Sequence, residues 1–361
     1  MKTQKKSGNV IKRQGLVSLL LTITAILLPS FGGIRGGLGL LAQDIHFSQF
    51  SSSPSTLNPA STGIFTGNFR FVYNFKDQWK SVAFPYRTHA FSYDMAFLRD
   101  LITDGSLAGG LSVVSDKAGD LNFGSTQVQL SIAANKSIDK LNNFSLGLQG
   151  GFAQWALKGD AETQQWDNEY NPGTSGGYLN NPTTGSDLES FNYGDFSAGL
   201  LWNYKGPVRA HAGIALFHLN KPKQSFLGAN EKMNAKLAFH GGAVIKVKED
   251  VIAVLPQVLF LKQGPQIEGN LGALVKYRLR EGSIYTGEID ETAVYLGGWY
   301  RFSDAFILNA RFDYMNFALG LSYDVNISNI NVATASKGGF EVSLMYIQPF
   351  PASRKTASPL M

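Results

Sequence analysis

Apolar and polar residues alternate one by one along much of this chain. In Phe69-Arg-Phe-Val-Tyr-Asn-Phe75 the aromatics fall on odd positions, with Arg70 and Asn74 between them. Val128-Gln-Leu-Ser-Ile132, Phe317-Ala-Leu-Gly-Leu-Ser-Tyr-Asp324 and Phe340-Glu-Val-Ser-Leu-Met-Tyr346 repeat the pattern. A period of two sends successive side chains to opposite faces of a sheet.

A soluble sandwich would alternate as well, and two further features separate the cases. The apolar face is aromatic at its ends, as the interfacial girdles of a membrane barrel require, while the other face carries Arg70, Asp94, Lys276, Arg278, Arg311, Asp324 and Glu341. A polar lumen accepts such charges; a soluble core does not. The segments are also about 10 residues long, the length of a tilted strand that spans hydrocarbon. The pattern therefore predicts an all-β fold, a transmembrane antiparallel β-barrel.

Fourteen segments are expected: 67–76, 87–96, 106–115, 123–134, 143–158, 191–204, 208–218, 233–247, 251–261, 266–278, 292–302, 305–314, 316–326 and 339–348. An even number fits a single-chain bacterial barrel. With a periplasmic N-terminus, the connections 77–86, 159–190 and 219–232 face outward and the tight turns Lys205-Gly-Pro207 and Lys248-Glu-Asp250 face inward. Two connections run against that asymmetry: 279–291 is long for a periplasmic turn and Ser303-Asp304 short for an outer one. Ahead of the first strand, Asp44 to Thr66 is polar and has neither a strand nor a helix period. The division expected is a leader over 1–42, an N-terminal segment over 43–66, a barrel over 67–350 and a tail over 351–361.

Charge changes the picture only at the start. The chain holds 32 Lys+Arg and 27 Asp+Glu, but the first 42 residues contain six bases (Lys2, Lys5, Lys6, Lys12, Arg13, Arg35) and no acid. Subtracting them leaves 26 against 27, a net of −1, so the basic balance belongs to the leader and gives no support to a nucleic-acid partner. Five of those bases precede the apolar run Leu16 to Leu28. That run is 13 residues long, short of the roughly 20 that a membrane helix needs. It reads as a secretory signal peptide cleaved after Ala42, with Leu40 a departure from the small residue usual at the −3 position.

Candidate chemistry is sparse. The absence of cysteine removes disulfides, thiolates and Cys-ligated zinc. No phosphate loop, serine elbow or His-Glu-x-x-His pair occurs. His211 and His218 are seven apart, an odd separation that would send them to opposite faces of one strand, so no metal site is expected there. The acids Asp160, Glu162, Asp167, Glu169, Asp187 and Glu189 lack EF-hand spacing and read as a solvated loop rather than a calcium site. No catalytic residue and no cofactor are expected.

The segment Gln43-Asp-Ile-His-Phe-Ser-Gln-Phe50, followed by Leu57-Asn-Pro-Ala60, resembles the opening of the PorP/SprF family of type IX secretion system outer-membrane proteins. Asp77-Gln-Trp79, Ser92-Tyr-Asp94, His218-Leu-Asn-Lys-Pro-Lys-Gln-Ser-Phe226, Leu255-Pro-Gln257, Gly320 to Asn326 and Glu341 to Leu344 extend the resemblance in order across 43–348. Ile45 for the usual Pro and Lys76-Asp77 for Arg-Asn depart from the pattern. The resemblance implies a non-enzymatic outer-membrane protein of Bacteroidota that helps export or anchor a large surface adhesin with a C-terminal secretion domain, in the manner of gliding motility. It also implies other type IX components and outer-membrane lipid as partners.

On this basis Asp44, His46, Phe47, Ser48, Gln49, Asn58 and Pro59 are candidates for a plug at the periplasmic mouth. Gln78, Trp79, His218, Pro222 and Phe226 are candidates for partner contact on the outer loops, where aromatic and rigid anchors dominate interfaces. A substrate-specific or passive channel of the fatty-acid-transporter type, also of fourteen strands, is the alternative.

Overall fold

The computed structural model describes residues 44–78, 85–98, 103–119, 123–156, 190–223, 232–248, 251–280, 292–328 and 336–349. The acidic stretch 159–189, residues 1–42 expected as a leader, and Trp79 and Phe226 lie outside the described residues.

Fourteen strands form the wall: β1 Phe69–Gln78, β2 Tyr86–Phe97, β3 Gly105–Ala118, β4 Phe123–Ser137, β5 Asn142–Ala156, β6 Phe191–Lys205, β7 Arg209–Phe217, β8 Lys236–Lys248, β9 Ile252–Gln263, β10 Gln266–Arg280, β11 Thr292–Arg301, β12 Ala305–Tyr314, β13 Phe317–Asn326 and β14 Lys337–Gln348. Each pairs antiparallel with its sequence neighbours, and β1 closes on β14 from Phe69↔Gln348 to Gln78↔Gly339. Closure leaves no sheet edge to face lipid, so the barrel can satisfy its backbone without water. The two connections that ran against the loop-length asymmetry do not signal a miscount: Arg301 and Ala305 flank a three-residue turn between paired strands, and β10 pairs directly with β11.

Alternation sorts the faces. On β1, Phe71 and Tyr73 point outward while Arg70, Val72, Asn74 and Lys76 are buried. At the centre of β4, Leu130 and Ile132 expose more than three-fifths of their surface on either side of the buried Ser131. A belt of exposed Phe, Tyr, Leu and Val around a closed wall is the lipid-facing surface of a membrane barrel. The inner face differs from the uniformly polar lumen expected. From β7 to β12 it is largely apolar, with Phe217, Leu259, Leu261, Leu274, Trp299 and Ile307 in one buried cluster that includes Phe50 of the N-terminal segment. Those side chains avoid water because a length of chain fills the space they face.

Candidate functional site: the filled lumen

Residues 44–66 have no repeating pattern because they form no long element. They make two 3-10 turns, Phe50–Ser52 and Pro59–Ser61, and between them the single helical turn Pro54–Leu57. Pro54 and Pro59 open their turns at the first position, where a missing N–H costs nothing. The segment goes beyond the mouth where the sequence suggested a plug. It rises through the lumen from Gly67, beside the end of β14, to Asp44, beside the far ends of β7, β8 and β9.

The β13–β14–β1 wall grips the upper part through charge. Glu341, 1% exposed, accepts hydrogen bonds from the backbone N–H groups of Ser48 (2.8 Å) and Gln49 (3.0 Å) and pairs with Lys76 (3.2 Å). Lys76 Nζ also donates to the His46 carbonyl at 3.0 Å. Ser48 Oγ donates to Asp324 Oδ2 (2.7 Å) and accepts from Arg301 Nη2 (2.6 Å). Arg301 in turn pairs with Asp324, Asp304 and Glu268, and Glu268 with His46 Nε2 at 3.0 Å. Each buried charge has an opposite partner, the condition under which burial is tolerated.

Lower down, Asn58 ties the second 3-10 turn to three strands. Its Nδ2 lies 3.0 Å from the Leu200 carbonyl, 3.4 Å from that of Ile214 and 3.1 Å from His240 Nε2, while its Oδ1 accepts from Ala60 N–H at 2.9 Å. Glycine makes this approach possible: a Cβ at Gly147 would lie 2.3 Å from Ala60 N, and one at Gly199 2.0 Å from Asn58 Oδ1. Pro59 is buried beside both. Arg70 holds Asp94 through two hydrogen bonds, 2.9 and 2.8 Å, donates to the Ser61 carbonyl, and leaves Asp94 Oδ2 to accept from Gly63 N–H.

At the upper end, Asp44 receives His218 Nε2 at 2.5 Å and Lys236 Nζ at 2.9 Å, and His218 Nδ1 lies 2.9 Å from Asp195 Oδ1. Burial raises the Asp44 pKa, but Lys236 and His218 outweigh it and hold the carboxyl well below the usual range. For His218, burial disfavours the cation, yet Asp195 and Asp44 push the imidazole up to about 9. His218 escapes strand alternation because β7 ends at Phe217 and His218 takes a left-handed φ of 56°. It turns inward on the same side as His211, instead of to the opposite face; His211 lies beside His240, with ring centroids 5.9 Å apart and the planes tilted by 44°.

The seven N-terminal candidates Asp44, His46, Phe47, Ser48, Gln49, Asn58 and Pro59 are thus brought together inside the barrel, Phe47 packing against Ala90 and Val114. Of the seven lumen candidates, Arg70, Asp94, Asp324 and Glu341 join this network. Lys276 and Arg311 meet the Tyr295 ring farther down, and Arg278 sits near the end of β10. Among the partner-contact candidates, His218 and Pro222 are buried and Gln78 half-buried. Sequence reasoning missed Lys76, Asp195, Lys236, His240, Glu268 and Arg301. Their inward parity was available from alternation, but not their partners. Among the described residues no group of three or more His, Cys, Asp and Glu could hold a metal ion.

A sequence model of the family described as "Type IX secretion system membrane protein PorP/SprF" matches residues 40–346. No curated protein matches the chain significantly. Among solved structures, the chain is similar to the toluene transporter TbuX of Ralstonia pickettii, at 10% identity and a TM-score of 0.49, over 83% of this chain and 94% of that one. It is also similar to the toluene transporter TodX of P. putida, at 12% identity and a TM-score of 0.42, over 81% and 92%. A third is BamA of Haemophilus ducreyi, at 12% identity and a TM-score of 0.39, over 78% and 70%.

Proposed function

The chain belongs to the PorP/SprF family of type IX secretion system membrane proteins, and from that premise we propose that it is a plugged, non-enzymatic partner in the export or surface anchoring of a large adhesin-like protein. The family and the closed barrel point to the outer membrane. On this reading the protein resides in the outer membrane of a Bacteroidota cell, enters the periplasm by cleavage of its leader after Ala42, and works beside other secretion components. The connections β1–β2, β5–β6 and β7–β8 then face outside, and Asp44 lies at the outer end of the lumen.

One observation carries the proposal: the lumen is occupied by the protein's own residues, with Glu341, Asp324, Arg301, Asp94 and Arg70 bound to them. A passive pore has no use for that investment of buried charge, whereas a component that stays sealed until a partner engages it does. Deleting residues 44–60 is expected to raise conductance in planar bilayers and to impair surface display of the cargo. Unchanged values of both would end the proposal. Solute flux through the intact purified protein in liposomes would favour a channel instead.

A further inference from the structure

The connection between β7 and β8 begins at His218 and ends at Lys236, the two side chains that hold Asp44. Its described residues fold against the inner wall. Pro222 and Met233 are buried, Met233 N–H donates to the Pro222 carbonyl at 2.9 Å, and Met233 packs with Tyr193 and Ala153. Above that base, Lys221, Lys223 and Lys232 are all exposed. Lys223 and Lys232 face each other across an antiparallel bridge, the cross-strand placement in which like charges repel. Lys221 adds a third cation two residues away, on a backbone with a left-handed φ of 44°. Among the described residues no carboxylate pairs with any of the three.

We propose that Lys221, Lys223 and Lys232 are the docking surface for an acidic segment of the exported partner, and that its docking loosens the anchor of the N-terminal segment. An anion between Lys223 and Lys232 removes their repulsion and draws the two arms of the connection together. Those arms end in the two groups on Asp44, so a change in their spacing acts directly on that carboxylate. The anchoring of Pro222 and Met233 to the inner wall sets the lysines at the mouth and away from the lipid-facing belt. This placement favours an acidic peptide over lipid phosphate. The identity of the partner as an exported protein rests on the reading of function above; the docking surface does not.

The test uses the whole purified protein in nanodiscs, a fluorescent oligo-glutamate peptide as probe, and an oligo-glutamine peptide, lipid A and inorganic phosphate as competitors. Because the chain has no cysteine, Thr56→Cys gives a single thiol whose labelling rate reports release of the segment. Oligo-glutamate is expected to bind, to weaken as salt is raised, and to speed labelling at position 56. The triple variant K221Q/K223Q/K232Q is expected to bind it about tenfold more weakly, the scale of three exposed charge contacts. Lys136→Gln with Lys140→Gln, at the opposite end of the barrel, is expected to change nothing. Equal binding by the triple variant, or displacement of the peptide by lipid A or phosphate at equal charge, would overturn the proposal. Loss of peptide binding with normal cargo display in cells would overturn the exported protein as the ligand of these lysines, while the 44–60 deletion separately decides the export reading.

Discussion

Asp44 and His218 lie 174 positions apart in the chain and 2.5 Å apart in the lumen. Asp195 holds the other imidazole nitrogen of His218 and Lys236 the same carboxylate oxygen of Asp44, so four side chains from four segments meet at one end of the N-terminal segment.

The pH dependence of this anchor follows from its two shifted groups. The His218 pKa is raised, so its contribution is complete below the ordinary imidazole value near 6.5 and is lost as pH rises through about 9. The Asp44 pKa is depressed, so its contribution holds above the ordinary carboxylate value and is lost on acidification below it. The charged groups on His218 are Asp44 and Asp195; Lys236 pairs with Asp44, and Tyr193 lies near both acids. Thiol labelling of Thr56→Cys, divided at each pH by the labelling rate of the same chain unfolded in urea so that thiolate formation cancels, is therefore expected to be slowest near neutral pH and to speed up toward pH 9. In a His218→Gln background the alkaline rise is expected to vanish; a rise of the same size would contradict the assignment.

Gly147→Ala is expected to displace the plug while leaving the wall intact. The new methyl would sit 2.3 Å from Ala60 N and 2.5 Å from the Pro59 carbonyl oxygen, which are backbone atoms with no rotamer to yield. Bilayer conductance should rise and heat-modifiable mobility of the folded barrel on gels should persist.

Glu341→Ala is expected to destabilise the fold by about 3–5 kcal/mol, because Lys76 then remains buried without its carboxylate. Urea unfolding in detergent measures the loss. The double change Lys76→Met with Glu341→Leu should recover part of it, since removing both charges leaves neither one stranded.

Leu130→Arg places a charge on the outward face at the middle of β4, where the cost in a bilayer is about 2–4 kcal/mol. Lys140→Gln, in the exposed turn after β4, should cost nothing measurable. Comparable stabilities for the two variants in lipid would contradict the lipid-facing assignment.

The barrel was legible in the sequence because each strand repeats one local rule. Phe69 to Phe75 sort by parity alone, and the expected segment 305–314 coincides with β12. The path of residues 44–66 was not legible, since it depends on contacts such as Ser48 with Glu341, 293 positions away, and on short turns without a period. His218 was misplaced for a local reason: strand parity stops applying once β7 ends and φ turns positive. The apolar inner wall around Leu259 and Trp299 was likewise hidden, because a filled lumen and a watery one impose the same period.

The central claim is that the N-terminal segment lies inside the barrel, and thiol crosslinking tests it most directly. Thr62 Cγ2 lies 3.2 Å from the position of a Cβ on Gly110 of β3, close enough for paired cysteines to bond. In a chain with no other cysteine, Thr62→Cys with Gly110→Cys is expected to form an intramolecular disulfide in native membranes, seen as a reductant-sensitive shift on denaturing gels. Free, rapidly alkylated thiols at both positions in the folded protein would contradict it.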